Sequence, residues 1–244
     1  MRILGLDTAT RATAVALLDT SSGEVVTRRD DPPPGARPRH TTRLLVLAVE
    51  ALQAAGYDWT EVDRIAVGVG PGTFTGLRIG VATAQALARA RGIPLVGVST
   101  LHSLAAAAVS GPEDGDGFTD AVVGVIDARR GEVFAAGWTR DSAGVAGSEP
   151  VLAPAPRSPG GLAEELAGSG RRWLAVGDGA VEFRQALERA GAWIPAEDSN
   201  RNRVDAAEHC RLAVAVAPEA AEAVRPSYLR LPDAELTRRA AQRQ

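Results

Sequence analysis

No lysine occurs in the 244 residues; all 27 basic side chains are arginine. Chemistry that needs a primary amine is thereby excluded: the P-loop lysine, the strand lysine of a protein kinase and any Schiff-base step. A single cysteine, Cys210, removes an internal disulfide and a thiolate zinc cluster. The three histidines, His40, His102 and His209, do not form a His-x-x-x-His metal pair. Aromatic residues make up 4% of the chain, and the four tryptophans are scattered, so no stacking array for RNA is laid out. The longest unbroken apolar runs, residues 44–49 and 104–109, fall far short of the roughly 20 residues a membrane helix needs. Asp7 interrupts the first apolar stretch too early for a signal peptide, so a cytoplasmic protein is expected. The formal charge of −3 does not draw nucleic acid in bulk, although it leaves room for a local arginine patch. The arginine-only usage and the abundant alanine read chiefly as a mark of genomic base composition.

What remains is a chain with 45% apolar residues, enough for a sizeable core. Short runs at 2–7, 13–18 and 24–28, joined by polar turns, predict three antiparallel strands. Four prolines and a glycine at 30–38 predict a loop. A helix at 41–55, stopped by Gly56, is followed by a strand at 64–68, a helix at 75–91, a strand at 95–98 and a helix capped by Ser99 that runs to 109. An antiparallel meander feeding parallel βαβ units is the pattern of a ribonuclease-H-like layer. The glycine-rich stretch 110–117 marks a lobe boundary. Beyond it come a hairpin at 121–127 and 132–138, an irregular stretch at 144–159, a strand at 174–177, helices at 180–190 and 204–217, an extended stretch at 226–232 and a mobile tail after Asp233. The expected division is a first lobe over 1–109, a smaller second lobe over 110–203, and a helix and tail over 204–244 that pack back on the first lobe.

Two helices carry more small and apolar residues than one buried face requires. Leu44, Ala48, Ala51, Leu52 and Ala55 form one stripe of the first, and Leu45, Val46, Leu47 and Val49 cover much of the rest. In the second, Gly72, Gly76, Gly80, Ala84 and Ala88 recur every four residues on one face. Two readings stand for each helix: close packing inside its own domain, or a helix-on-helix association surface. The second reading makes Leu44, Leu45, Ala48, Leu52, Gly76, Gly80 and Ala84 the partner-binding set, and it predicts that Gly80→Leu weakens association.

The most specific string is Gly68-Val69-Gly70-Pro71-Gly72-Thr73-Phe74-Thr75-Gly76-Leu77-Arg78-Ile79-Gly80, which follows a strand and opens a helix. Such a loop is either an anion cradle at a helix N-terminus or a tight turn capped by Thr73 or Thr75.

This string joins three others: Leu4-Gly5-Leu6-Asp7-Thr8-Ala9-Thr10, Asp127-Ala128-Arg129-Arg130-Gly131-Glu132-Val133-Phe134 and Pro226-Ser227-Tyr228-Leu229-Arg230. Through these four, spread over nearly the whole chain, it resembles the TsaB (YeaZ) family of bacterial threonylcarbamoyladenosine biosynthesis subunits. The resemblance implies an α/β fold of the actin/sugar-kinase/Hsp70-like superfold with two ribonuclease-H-like lobes. It implies a degenerate relative of TsaD, the transferase that moves threonylcarbamoyl onto the adenosine 3′ of the anticodon in ANN-decoding tRNAs. It also implies TsaD and the ATPase TsaE as partners, contact with tRNA through their complex, a homodimer when the chain is alone, and the first two helices as the dimer surface.

Laid on the His-x-x-x-His site of TsaD, this chain has Thr100 and Leu104 where the two histidines belong, and neither replaces imidazole. His102 is two residues from each, about 200° around a helix, and points elsewhere. Nucleotide-binding members of the superfold place glycine two residues after the first aspartate; Ala9 stands there, and its Cβ hinders close approach of phosphate. ATP or ADP is expected at most at a shared interface, with Asp7, Thr8, Thr10, Gly72 and Thr73 as the residues to meet it and no metal or catalytic residue assigned. Asp7 is otherwise a turn cap. Asp127, Arg129 and Glu132 are either cleft residues or solvated turn charges, Asp178 a helix cap, His40 a solvent-facing cap, and Tyr228 and Arg230 the residues that pack the tail on the first lobe. The expected function is a non-catalytic scaffold for TsaD. The alternatives are a small-molecule phosphotransferase of the same superfold and, last, a glycoprotease-like peptidase.

Overall fold

The structure, a computed structural model, describes residues 1–33, 35–109, 119–140, 147 and 149–230. The boundary stretch at 110–117 and the tail after Asp233 lie outside them.

Strands β1 (Arg2–Asp7), β2 (Thr13–Asp19), β3 (Val25–Asp30), β4 (Arg64–Gly70) and β5 (Leu95–Ser99) form a sheet in the order β3-β2-β1-β4-β5. β1, β2 and β3 pair antiparallel, whereas β4 joins β1, and β5 joins β4, in parallel. Every residue of β2 is buried, because the sheet is covered on both faces. Alternation sorts the side chains. Leu4, Leu6, Val15 and Leu17 pack with helices α1 (His40–Ala54) and α2 (Phe74–Arg91). Ile3, Ala14, Ala16 and Leu18 pack with Ala206, Ala207, Cys210 and Ala213. The latter belong to the last helix of the described chain, at Ala206–Val214. Gly5 makes that packing possible, since a Cβ there would strike the Ala206 carbonyl and the Cys210 sulfur.

Helix α3 (Thr100–Val109) starts on Ser99, whose hydroxyl accepts from the His102 N–H at 3.3 Å. It packs on a second sheet of β6 (Ala121–Arg129), β7 (Glu132–Thr139), β8 (Leu152–Arg157) and β9 (Trp173–Val176), in the order β8-β7-β6-β9. The opposite face of that sheet is covered by α4 (Pro159–Gly168) and the short helices α5 (Asp178–Glu182) and α6 (Arg184–Arg189). The last helix is therefore α7. Two sheets, an antiparallel unit extended by the parallel β4 and β5 in the first and by the parallel β9 in the second, with helices packed on them, make the expected α/β fold.

Three elements differ from the sequence expectation. β8 lies where an irregular stretch is predicted: Pro154 and Pro156 are tolerated because β8 is an edge strand that needs hydrogen bonds on one side only. α4 begins Pro159-Gly160-Gly161, a poor helical sequence made workable by proline in the first turn and by Ser158, whose hydroxyl accepts from the Gly161 N–H. The predicted helix over 180–190 is two helices, divided at Phe183, whose φ of −107° and ψ of 26° are not helical.

Candidate functional site

Asp7 ends β1 and is 1% exposed. Its Oδ1 accepts from the Ala9 N–H at 2.9 Å, which is the predicted turn cap. Its Oδ2 lies 2.8 Å from Nε2 of His209, a fully buried residue of α7 that the sequence reading left without a role. Gly68 on β4 leaves the room, because a Cβ there would collide with both groups. The next residue is locked too: Thr8 Oγ1 donates to the Gly76 carbonyl at 2.8 Å. The Thr73 N–H donates to the Ala9 carbonyl at 2.7 Å.

These contacts explain the glycine spacing. A Cβ at Gly72 would strike Ala9, and one at Gly76 or Gly80 would strike Thr8. The stripe thus faces the chain's own first turn. Gly76, Gly80 and Ala84 are buried, as are Leu44, Ala48 and Leu52, which belong to the core under α1 and α2. Six of the seven residues assigned to partner binding therefore lie inside this chain, and the expectation for Gly80→Leu changes with them. Only Leu45 is outward, at 48% exposure, and it is joined by Val46 at 42% and Val49 at 39%. On α2 the exposed positions Thr75, Arg78, Ala82, Ala86 and Arg89 form a row, and Ala90 and Arg91 at its end are exposed as well. The row's spacing of three and four defines one face.

The same contacts test whether the turn can hold a nucleotide. Asp7 is closed to solvent with both oxygens engaged, Thr8 is buried, and the Thr73 N–H already has an acceptor. Asp7, Thr8 and Thr73 do not fit a metal-bound phosphate in this arrangement. At the two positions expected to match the transferase's histidines, Thr100 Oγ1 accepts from the Gly70 N–H at 3.2 Å and Leu104 is core. His102 stacks on Trp138 with centroids 4.9 Å apart. Among the described residues, no three His, Cys, Asp or Glu side chains gather as a metal site.

Thr10 stands apart, in a cleft shared with Asp178, Asn202 and Arg203. Asp178 is not the cap of α5, which is Gly177; its Oδ1 accepts from the Asp127 N–H at 3.0 Å and ties the two strand ends of the second sheet together. His40 is also corrected: it is 4% exposed, and its Nδ1 meets Thr13 Oγ1 at 2.9 Å.

A second cleft, of about 230 Å³, is lined by residues 71–74, 127–130 and 227–230 and by Phe134. Its wall on α2 is Phe74, with Tyr228 packed on it at 5.1 Å between centroids and Arg78 over the Phe74 ring at 3.9 Å. Its other wall is the β6–β7 turn. There Arg129 and Arg130 hold φ of 64° and 59°, a left-handed conformation that costs a non-glycine residue roughly 1–2 kcal/mol. Asp127 and Arg129 therefore reach the cleft, whereas Glu132 faces Arg230, at 2.6 Å. The tail strap divides accordingly. Ser227 N–H donates to the Val69 carbonyl and Arg78 to the Tyr228 hydroxyl, both on the first sheet's side. Arg230, expected on the first lobe, instead pairs with the second sheet.

The family model of TsaD, tRNA N6-adenosine threonylcarbamoyltransferase, matches residues 32–175. The tRNA threonylcarbamoyladenosine biosynthesis protein TsaB of Escherichia coli is 38% identical over 180 residues, which span 73% of this chain and 72% of that one. The Bacillus subtilis protein of the same name is 33% identical over 136 residues, 55% of this chain and 53% of that one. The chain belongs to the TsaB family. Among solved structures, YeaZ from Pseudomonas aeruginosa superposes with a TM-score of 0.73 at 29% identity, over 93% of this chain and 99% of that one. An ROK hexokinase from Thermus thermophilus, at 14% identity and a TM-score of 0.50 over 88% of this chain and all of that one, shares the fold. Among the described residues, no helix is long and apolar enough to cross a membrane.

Proposed function

We propose that this TsaB-family chain serves tRNA threonylcarbamoyladenosine biosynthesis as a non-catalytic subunit. It binds a TsaD-type transferase and holds it in a productive arrangement for transfer to the adenosine 3′ of the anticodon in ANN-decoding tRNAs. The observation that carries the proposal is the outward row Leu45, Val46 and Val49 on α1, left uncovered while Leu44, Leu47, Ala48 and Leu52 of the same helix are buried within the chain. Exposed aliphatic side chains on α1, together with the small exposed Ala82 and Ala86 on α2, allow a partner helix to approach closely. The same face would serve a homodimer when the chain is alone, and TsaE and tRNA would join through the transferase.

A non-catalytic role is supported by the closure of Asp7 and by Thr100 and Leu104, which cannot supply the electrophilic activation a metal gives an acyl donor. Any ATP or ADP would sit at a surface shared with the partner. The test is threonylcarbamoyl transfer by the TsaD protein of the same organism, with and without this chain. The proposal predicts that the transferase alone is slow, that the chain alone is inactive and that the mixture is fast. Transfer by the chain alone, or ATP-dependent phosphorylation of a small molecule, would contradict it.

A further inference from the structure

The two sheets have four edges, and three of them are guarded or met by the chain itself. β8 carries Pro154 and Pro156, which cannot donate to a further strand. β9 is met by Trp193, whose N–H donates to the Trp173 carbonyl at 2.8 Å and whose carbonyl accepts from the Ala175 N–H at 2.9 Å. β5 is met at Leu95, whose carbonyl accepts from the Glu219 N–H at 3.0 Å. The fourth edge is β3. We infer that β3 is a strand-addition site that takes an extended acidic segment of a partner protein as a sixth strand of the first sheet.

The pairing fixes where the β3 backbone points. The Thr20 N–H donates to the Met1 carbonyl, so the even residues of β2 bond β1 and the odd ones face β3. The Asp19 N–H accordingly donates to the Glu24 carbonyl at 3.0 Å. In β3, Val26, Arg28 and Asp30 therefore bond β2, while Val25, Thr27 and Arg29 turn their N–H and C=O groups outward. Among the described residues, this outward row has one bond, a local one from Arg28 Nη1 to the Thr27 carbonyl at 2.8 Å. A donor and an acceptor on each outward residue suit another polypeptide strand, whereas the phosphates of RNA leave the carbonyls unmet.

Charge sets the sign of that strand. Among the described residues, Arg28 meets no carboxylate, and neither does Arg203, exposed on a groove of about 250 Å³ beside residues 27–29. Asp205 lines the same groove, but its Oδ1 caps α7 by accepting from the Ala207 N–H at 2.9 Å. Arg29 is paired with Asp31. A glutamate opposite Arg28 gains an opposite-charge cross-strand pair, and a lysine there is repelled. A second copy of β3 fits worse, because antiparallel pairing about Thr27 sets the two Arg28 side chains diagonally on one face. The site is separate from the outward row of α1.

The experiment is an NMR titration of the full chain with three probes: a blocked hexapeptide alternating threonine and glutamate, the same peptide with lysine for glutamate, and hexauridylate. The glutamate peptide is expected to bind saturably and to slow amide exchange at Val25, Thr27 and Arg29 about tenfold or more, with little change at Val26 and Arg28. The lysine peptide should bind about fivefold more weakly or worse. Thr27→Pro removes an outward donor and leaves the ladder to β2 intact, so it should keep its melting temperature and lose about tenfold or more in peptide affinity. Arg28→Glu should invert the preference between the two peptides. No added protection at Val25, Thr27 and Arg29 overturns the inference, as does unchanged peptide affinity in Thr27→Pro or an unchanged preference in Arg28→Glu. Binding of hexauridylate alone overturns the choice of a protein partner. Self-association that Thr27→Pro abolishes would name a second copy instead. These readouts are independent of whether the chain binds a transferase.

Discussion

Nε2 of His209 stands 2.8 Å from Oδ2 of Asp7, 202 residues earlier in the chain, and neither side chain reaches solvent. The carboxylate expected to meet a nucleotide is here an internal tie between β1 and α7. A buried carboxylate stripped of its partner is costly, so His209→Ala should lose about 3–5 kcal/mol in a urea unfolding curve. Asp7→Asn should lose less, and the double variant should show a coupling of about 0.5–3 kcal/mol. Additive losses would mean that the pair does not act as a tie.

The glycine stripe gives a prediction of opposite kind to the one its spacing suggests. Gly76→Ala and Gly80→Ala each push a methyl into Thr8, so each should destabilise the isolated chain by about 1–3 kcal/mol. Thermal unfolding of the monomer measures it. A normal melting temperature with weakened association would return the stripe to the surface role.

Acid should expose the burial of His40. Desolvation holds its imidazole below the ordinary value of 6.5, against an opposing pull from Asp7 and Asp30. The unfolded chain therefore takes up the proton first. This contribution to stability is complete above about pH 6.5 and declines as the pH falls below it. In His40→Asn the urea midpoint should decline less over that range than in the wild type. Parallel curves for the two proteins would remove His40 from the explanation.

How far the sequence carried depends on whether the signal was local. The meander, the βαβ units and the Ser99 cap are written in neighbouring residues, and they stand as expected. The four-residue glycine spacing was legible, but its direction was not: spacing defines a face and says nothing of what lies against it. Thr8 and Ala9, which fill that face, are more than sixty residues away. His209 was invisible for the same reason, since no local pattern links it to Asp7. β8 was hidden by its prolines, whose tolerance follows from an edge position that only the assembled sheet reveals. On α1 the surplus of apolar residues was plain, and the fold then divided it, taking Leu44, Ala48 and Leu52 inward and leaving Leu45, Val46 and Val49 outside.

That division makes the decisive test a clean one. The double variant Leu45→Glu, Val46→Glu changes only exposed side chains, so its melting temperature should match the wild type. Its affinity for the TsaD protein of the same organism, measured by sedimentation velocity, should fall about thirtyfold or more. Wild-type affinity in a folded double variant would contradict the assignment of this face as the docking surface.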